Sequence, residues 1–175
     1  MKFSYNLAGF LGALVGLNVA TAIFHLDNML NLVAINFMNE TMALLLVGGL
    51  VFDVYNYFVK KKLSPDFVWI PIFTFIGGIF WELFTYGSGV IVSKAKYLMS
   101  MWFVMSPFTI VFIGLPVMFF IGFLRKHKKL LGVEIQGSQG LVYTFILTAT
   151  LTIAIIYILL QTGLFVSLLS QVVGK

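Results

Sequence analysis

Five long apolar runs, separated by short polar or basic links, constrain this chain more than any other feature. Crossing the hydrocarbon of a bilayer takes about 20 helical residues at a rise of about 1.5 Å each. Segments over 7–24, 31–59, 66–86, 98–124 and 141–169 meet that length. The second is too long for an upright span, so we expect it to be tilted, broken or partly interfacial. Barrel strands alternate lumen-facing polar and lipid-facing apolar residues, and these runs do not. Of the 175 residues 61% are hydrophobic and 10% charged, where a soluble domain carries about 25% charged residues. A soluble protein of this size has too little interior to hide so much apolar surface, so lipid must be the solvent for most of it. The expected fold is an all-α, polytopic integral membrane bundle of five transmembrane helices, one domain over 1–175, in a multi-pass membrane location.

The N-terminal MKFSYNLAGFLGALVGLNVATA has a lysine, an apolar run and a small-residue ending at Ala20-Thr21-Ala22. That imitates a secretory signal peptide; we read it as the first membrane helix. Orientation follows from the basic residues. With five alternating helices, Lys2, Lys60–Lys62 and the RKHKK of Arg125–Lys129 share one side, and Lys94, Lys96 and Lys175 share the other. The positive-inside rule then puts the N-terminus in the cytoplasm and the C-terminus outside. The same clustering argues against nucleic acid as a partner. The expected partners are the lipid bilayer and other membrane subunits or further copies of the chain.

Local signals punctuate the runs. In LSPDF, Ser64 suits an N-cap, Pro65 the first helical position and Asp66 the positive end of the helix dipole. The linker LLGVEIQGSQG is glycine-rich and polar. Pro107 and Pro116 lie inside the fourth span, where each removes a backbone hydrogen bond and can bend the helix. Helices 1–2 and 3–4 each go out and return to a basic cluster, an echo of topology without convincing residue alignment.

The polar residues inside the runs need an explanation. Glu82, in FIGGIFWELFTYGSG, lies about 24 Å along its helix from Asp66, and Glu40, in NFMNET, about 30 Å from Lys60. Two upright helices would bring both acids to comparable depth in the outer leaflet. Asn36 and Glu40 are four apart and share a helix face, with Asn39 close by. Asn18 is near that depth, His25 and Asp27 cap the same side, and Trp81 and Tyr86 flank Glu82. A charge at the bilayer centre costs roughly 2.5–3.5 kcal/mol on insertion scales, so these acids should face protein or water. Either they form a site for a cation, a proton or a polar ligand, or they join helices through hydrogen bonds that in membranes average only about 0.6 kcal/mol. Asp53 is expected to bond Tyr57 or a neighbouring helix near the inner headgroups; Asp66 and Glu134 read as loop acids.

Gly12 and Gly16 form a GxxxG extended by Ala20, and Gly48-Gly49 and Gly77-Gly78 give further flat surfaces for close helix approach. Thr144, Thr148 and Thr152 make an i, i+4, i+8 stripe whose hydroxyls can bond their own backbone. Met99, Met101 and Met105 read as packing, not as a soft-metal site.

Several chemistries are excluded. Without cysteine there is no Fe–S cluster and no Cys-based zinc site. His25 and His127 fall on opposite sides, which removes an internal bis-His haem. HExxH, G-x-S-x-G and GxxxxGK are absent, as is an aspartate-rich motif for diphosphate held through Mg²⁺. A hydrolase using Ser106 would have only His25 as base. Three functions remain compatible with the residues: a small transporter or channel-like protein, or a subunit of one, with a carboxylate site at Glu40 and Glu82; an accessory subunit of a larger membrane complex; or a membrane-embedded enzyme acting on a lipid or isoprenoid substrate.

Overall fold

The computed structural model describes residues 5–30, 32–59, 66–87, 92–126, 129–130, 133–134 and 137–167. They form α1 (Tyr5–Phe24), α2 (Leu26–Met29), α3 (Leu32–Val59), α4 (Asp66–Gly87), α5 (Val92–Thr109), a π-helical turn (Ile110–Gly114), α6 (Leu115–Lys126) and α7 (Gly137–Gln161). A two-residue antiparallel ladder pairs β1 (Lys129–Leu130) with β2 (Val133–Glu134) between α6 and α7. The described residues are otherwise almost entirely helical. Among the described residues four helical segments are long and apolar enough to cross a membrane: Tyr5–Phe24, Leu32–Tyr55, Leu98–Leu124 and Gln139–Gln161. In α4 the apolar stretch Trp69–Phe84 is shorter. Ser64, Pro65 and the Lys60–Lys62 cluster lie outside the described residues.

Three local breaks shape the bundle. His25 adopts a left-handed conformation, φ 50 and ψ 49, and Leu30 is extended, so α1 turns through the single turn of α2 into α3. That left-handed region is uncommon for a residue with a Cβ, and histidine is one of the types that enters it more often. The second apolar run is then one unbroken 28-residue helix. The run 98–124 is continuous but contains the π turn, where the Leu115 N–H donates to the Ile110 carbonyl. It sits between Pro107 and Pro116, as expected where prolines and widened turns bend membrane helices. The last helix ends at Gln161, short of the expected 169. Gly163 takes φ 68, its N–H donates to Leu160 O at 3.1 Å, and a fresh helical turn follows over 164–167. Only glycine enters that conformation without a steric penalty.

α1 lies along α7, and α3 is central, touching α1, α4 and α5. Between α1 and α7 the glycines set the spacing. A Cβ on Gly12 would collide with Phe145 O and Thr148 Oγ1; one on Gly16 would stand 2.5 Å from Ala149 O. In lipid no hydrophobic force drives helices together, so such close van der Waals packing supplies the attraction. The fully enclosed core includes Phe10, Leu17, Met38, Met42, Leu45, Met101, Trp102, Met105 and Ile113. Two of the three methionines read as packing residues are therefore core residues.

Candidate polar cleft and buried carboxylate

One face of α3 carries the polar cleft. Val33, Asn36, Phe37, Glu40 and Ala43 follow helical spacing and, with Asn39, line an open cleft of about 650 Å³ completed by Leu14 and Asn18 of α1 and Leu98 of α5. Asn18 Nδ2 donates to Asn39 Oδ1 at 3.0 Å and to its own helix at Leu14 O, 2.8 Å. Across the α3–α4 contact, Trp81 Nε1 donates to Glu40 Oε1 at 3.1 Å. Residues 40 and 81 are thus at one level, and three helices contribute polar groups to one region. Asn36 is exposed and Glu40 half-buried, so the cleft offers carboxylate and amide oxygens to a solute entering it.

Glu82 takes a different position. It is 1% exposed and is not among the residues that line the cleft. The reason is helical geometry. Neighbouring residues project about 100° apart, so Trp81 reaches Glu40 while Glu82 continues the buried stripe Ile70–Thr74–Gly78–Glu82 of α4. One turn before Glu82, Gly78 abuts the Trp102 ring of α5 so closely that a Cβ there would collide with Cζ2. The cleft and the enclosed carboxylate are therefore two adjoining features.

His25, Asp27 and Asn28 are exposed at the α1–α3 corner, and neither His25 nor Asp27 lines the cleft. The side chain of Tyr86 lies outside the described residues, as does that of Tyr57. No group of three or more His, Asp or Glu side chains suited to a metal ion occurs among the described residues. A cation in the cleft would rely on one carboxylate and amide oxygens. Ser106 Oγ, fully buried, has no hydrogen-bond partner among the described residues.

Two further polar features lie apart from the cleft. Asn6 Nδ2 donates to Asp53 Oδ1 at 2.8 Å, both residues buried between α1 and α3; the neighbouring helix expected to meet Asp53 is α1. On α5, Trp102 and Ser106 are one turn apart, both 0% exposed, and the indole N–H and the hydroxyl lack partners among the described residues. Their i, i+4 spacing is visible in MSMWFVMSPF, but neither type carries charge, so nothing in the sequence singles them out.

Comparison of the chain with protein-family models, with curated proteins and with solved structures gave no match.

Proposed function

We propose that this chain is a small transporter-like membrane protein that takes a cation into the cleft at Glu40 and uses Glu82 as an enclosed protonatable carboxylate behind it. The observation that carries this reading is the convergence of Asn18, Asn36, Asn39 and Glu40 from two helices around one open cleft, with Trp81 of a third helix bonded to Glu40. Carboxylate and amide oxygens are ligands for hard cations. Ionisable groups within membrane helices are costly and by default mark ion or proton pathways. The buried Glu82, next to Trp81 on the neighbouring helix, supplies a second acid.

This reading includes five spans with the N-terminus in the cytoplasm. The 22 residues of α4 rise about 33 Å, enough to cross the hydrocarbon, and five crossings put the larger set of basic residues on one side. The test is flux in proteoliposomes carrying an interior pH-sensitive dye, driven by an imposed sodium or potassium gradient. Wild type should move protons or cations faster than empty liposomes, Glu40→Gln should weaken the dependence on external cation, and Glu82→Gln should reduce flux at least tenfold. Wild-type flux equal to that of empty liposomes, or normal flux in both variants, would remove the proposal.

A further inference from the structure

A second cavity, separate from the Glu40 cleft, lies between α3 and α4. It is a groove of about 520 Å³ lined by Leu44, Val47, Gly48, Val51, Phe52, Tyr55, Trp69, Phe73, Thr74 and Gly77. Three observations distinguish it from an ordinary crevice between membrane helices. Its wall is an aromatic row: Phe52 and Phe73 have ring centroids 5.7 Å apart, and Phe73 and Trp69 6.2 Å. Its floor is flat, because Gly48 and Gly77 present backbone, and a Cβ on Gly77 would have nothing within 4 Å.

The third observation concerns the hydroxyl at its floor. Thr21, Thr41, Thr109, Thr144, Thr148, Thr150, Thr152 and Thr162 all donate to a carbonyl three or four residues back in their own helix. Thr74 does not. It is 2% exposed, and its Oγ1 has no hydrogen-bond partner among the described residues. That oxygen lies 3.4 Å from where a Cβ on Gly48 would stand, so it faces the glycine floor. A hydroxyl enclosed in apolar surroundings without a partner is costly, and a threonine in a helix ordinarily has its own backbone to bond. An acyl chain offers it nothing.

We infer that this groove binds a planar, ring-bearing membrane lipid of the quinone class, with its ring against the aromatic row and one carbonyl accepting a hydrogen bond from Thr74. A wall of rings tilted by 34° and 50° to one another over a backbone floor suits a planar ring, since offset or edge-to-face contact with one of them adds to the apolar contact. The apolar tail leaves along the exposed side chains of Val47 and Val51, which face lipid at 53% and 59% exposure. No electron transfer is part of this inference; it concerns binding alone, and it does not depend on the function proposed for the Glu40 cleft.

The test uses a short-chain alkyl benzoquinone and the full chain in lipid nanodiscs, with bound probe measured by equilibrium dialysis against empty nanodiscs. Wild type should show one saturable site per chain above lipid partitioning. Gly77→Leu should abolish it by filling the groove, with unchanged thermal unfolding because the added side chain enters open space. Val51→Trp is a second block from a lipid-facing position. Thr74→Val keeps the shape and removes the donor, and should weaken binding roughly 3- to 10-fold, the value of one hydrogen bond. Uptake equal to that of empty nanodiscs, full binding in both blocking variants, or undiminished affinity in Thr74→Val would each overturn the assignment.

Discussion

The α1–α7 contact makes a sharp quantitative prediction, because the same substitution can be placed against backbone or against open space. Gly→Ala in a helix interior gains roughly 0.8–1 kcal/mol of propensity wherever the new methyl meets nothing. At Gly77 and at Gly122 a Cβ would have no neighbour within 4 Å, so alanine there should be neutral or stabilising. At Gly16 the new Cβ would meet Ala149 O at 2.5 Å, Cα at 2.9 Å and C at 3.1 Å. All three are backbone atoms, so no rotamer change relieves the overlap and the helices must separate. Such overpacking costs about 1–3 kcal/mol, and separation also weakens Cα–H···O contacts of the kind that recur at helix interfaces. The propensity term is common to both sites, so the stability difference between Gly16→Ala and Gly77→Ala isolates the packing cost at about 1–3 kcal/mol. Reversible unfolding in mixed detergent micelles measures it. Gly12→Ala should act similarly, and the double variant Gly12→Ala/Gly16→Ala should lose less than the sum, because helices already separated by one methyl have room for the second. Equal stability of Gly16→Ala and Gly77→Ala would refute the claim that glycine spacing holds α1 on α7.

Two further predictions concern single interactions. Asn6→Ala removes the donor to Asp53 from a buried pair and should cost about 1–3 kcal/mol in the same unfolding assay, whereas Asn28→Ala, at an exposed corner position, should change stability by less than about 0.5 kcal/mol. Gly163→Ala forces a Cβ into φ 68 at a cost of about 1–2 kcal/mol, and amide exchange should show faster opening over 164–167 than in wild type while α1 and α3 are unchanged.

The helical architecture was legible because lipid imposes it: backbone groups in hydrocarbon must be satisfied within the segment, so a long apolar run has few alternatives to a helix. The polar face of α3 was legible for the same geometric reason, since 36 and 40 are four apart. What the sequence did not reveal is how each helix is rotated about its axis. Glu82 attracts attention as an acid, yet Trp81 is the residue whose hydrogen bond meets Glu40, and the difference is one residue of helical phase. Asn6 meets Asp53 across 47 positions of chain, a pairing fixed only once Gly49 lets α3 approach Phe10 and Asn6. The end of α7 at Gln161 turned on one glycine in an otherwise apolar run, a signal easily outweighed by hydropathy.

Two buried stripes show where this bundle concentrates polar chemistry. On α7, Gly140, Thr144, Thr148 and Thr152 are buried at four-residue spacing, and Thr144 and Thr148 stand against Gly9 and Gly12 of α1. Each of these threonine hydroxyls is satisfied by the helix's own carbonyls. That stripe is chemically closed: it offers α1 a smooth surface and leaves nothing over for a ligand. On α4, Ile70, Thr74, Gly78 and Glu82 occupy the same spacing and are equally buried, but Thr74 makes no such bond to its own helix, and Glu82 is a carboxylic acid where α7 has a threonine. The same four-residue spacing therefore produces an inert packing surface in one helix and polar capacity in the other. If polar side chains were needed only to hold helices together, α4 would be expected to resemble α7, because self-satisfied threonines do that at little cost. On α4 the departure falls in the wall of the α3–α4 groove, at Thr74, and next to Trp81, the residue that bonds Glu40; buried polar atoms without a partner among the described residues also occur at Trp102 and Ser106 of α5. Replacing Thr74 and Glu82 by valine and glutamine, respectively, should consequently alter what this protein binds more than it alters how firmly the bundle is held.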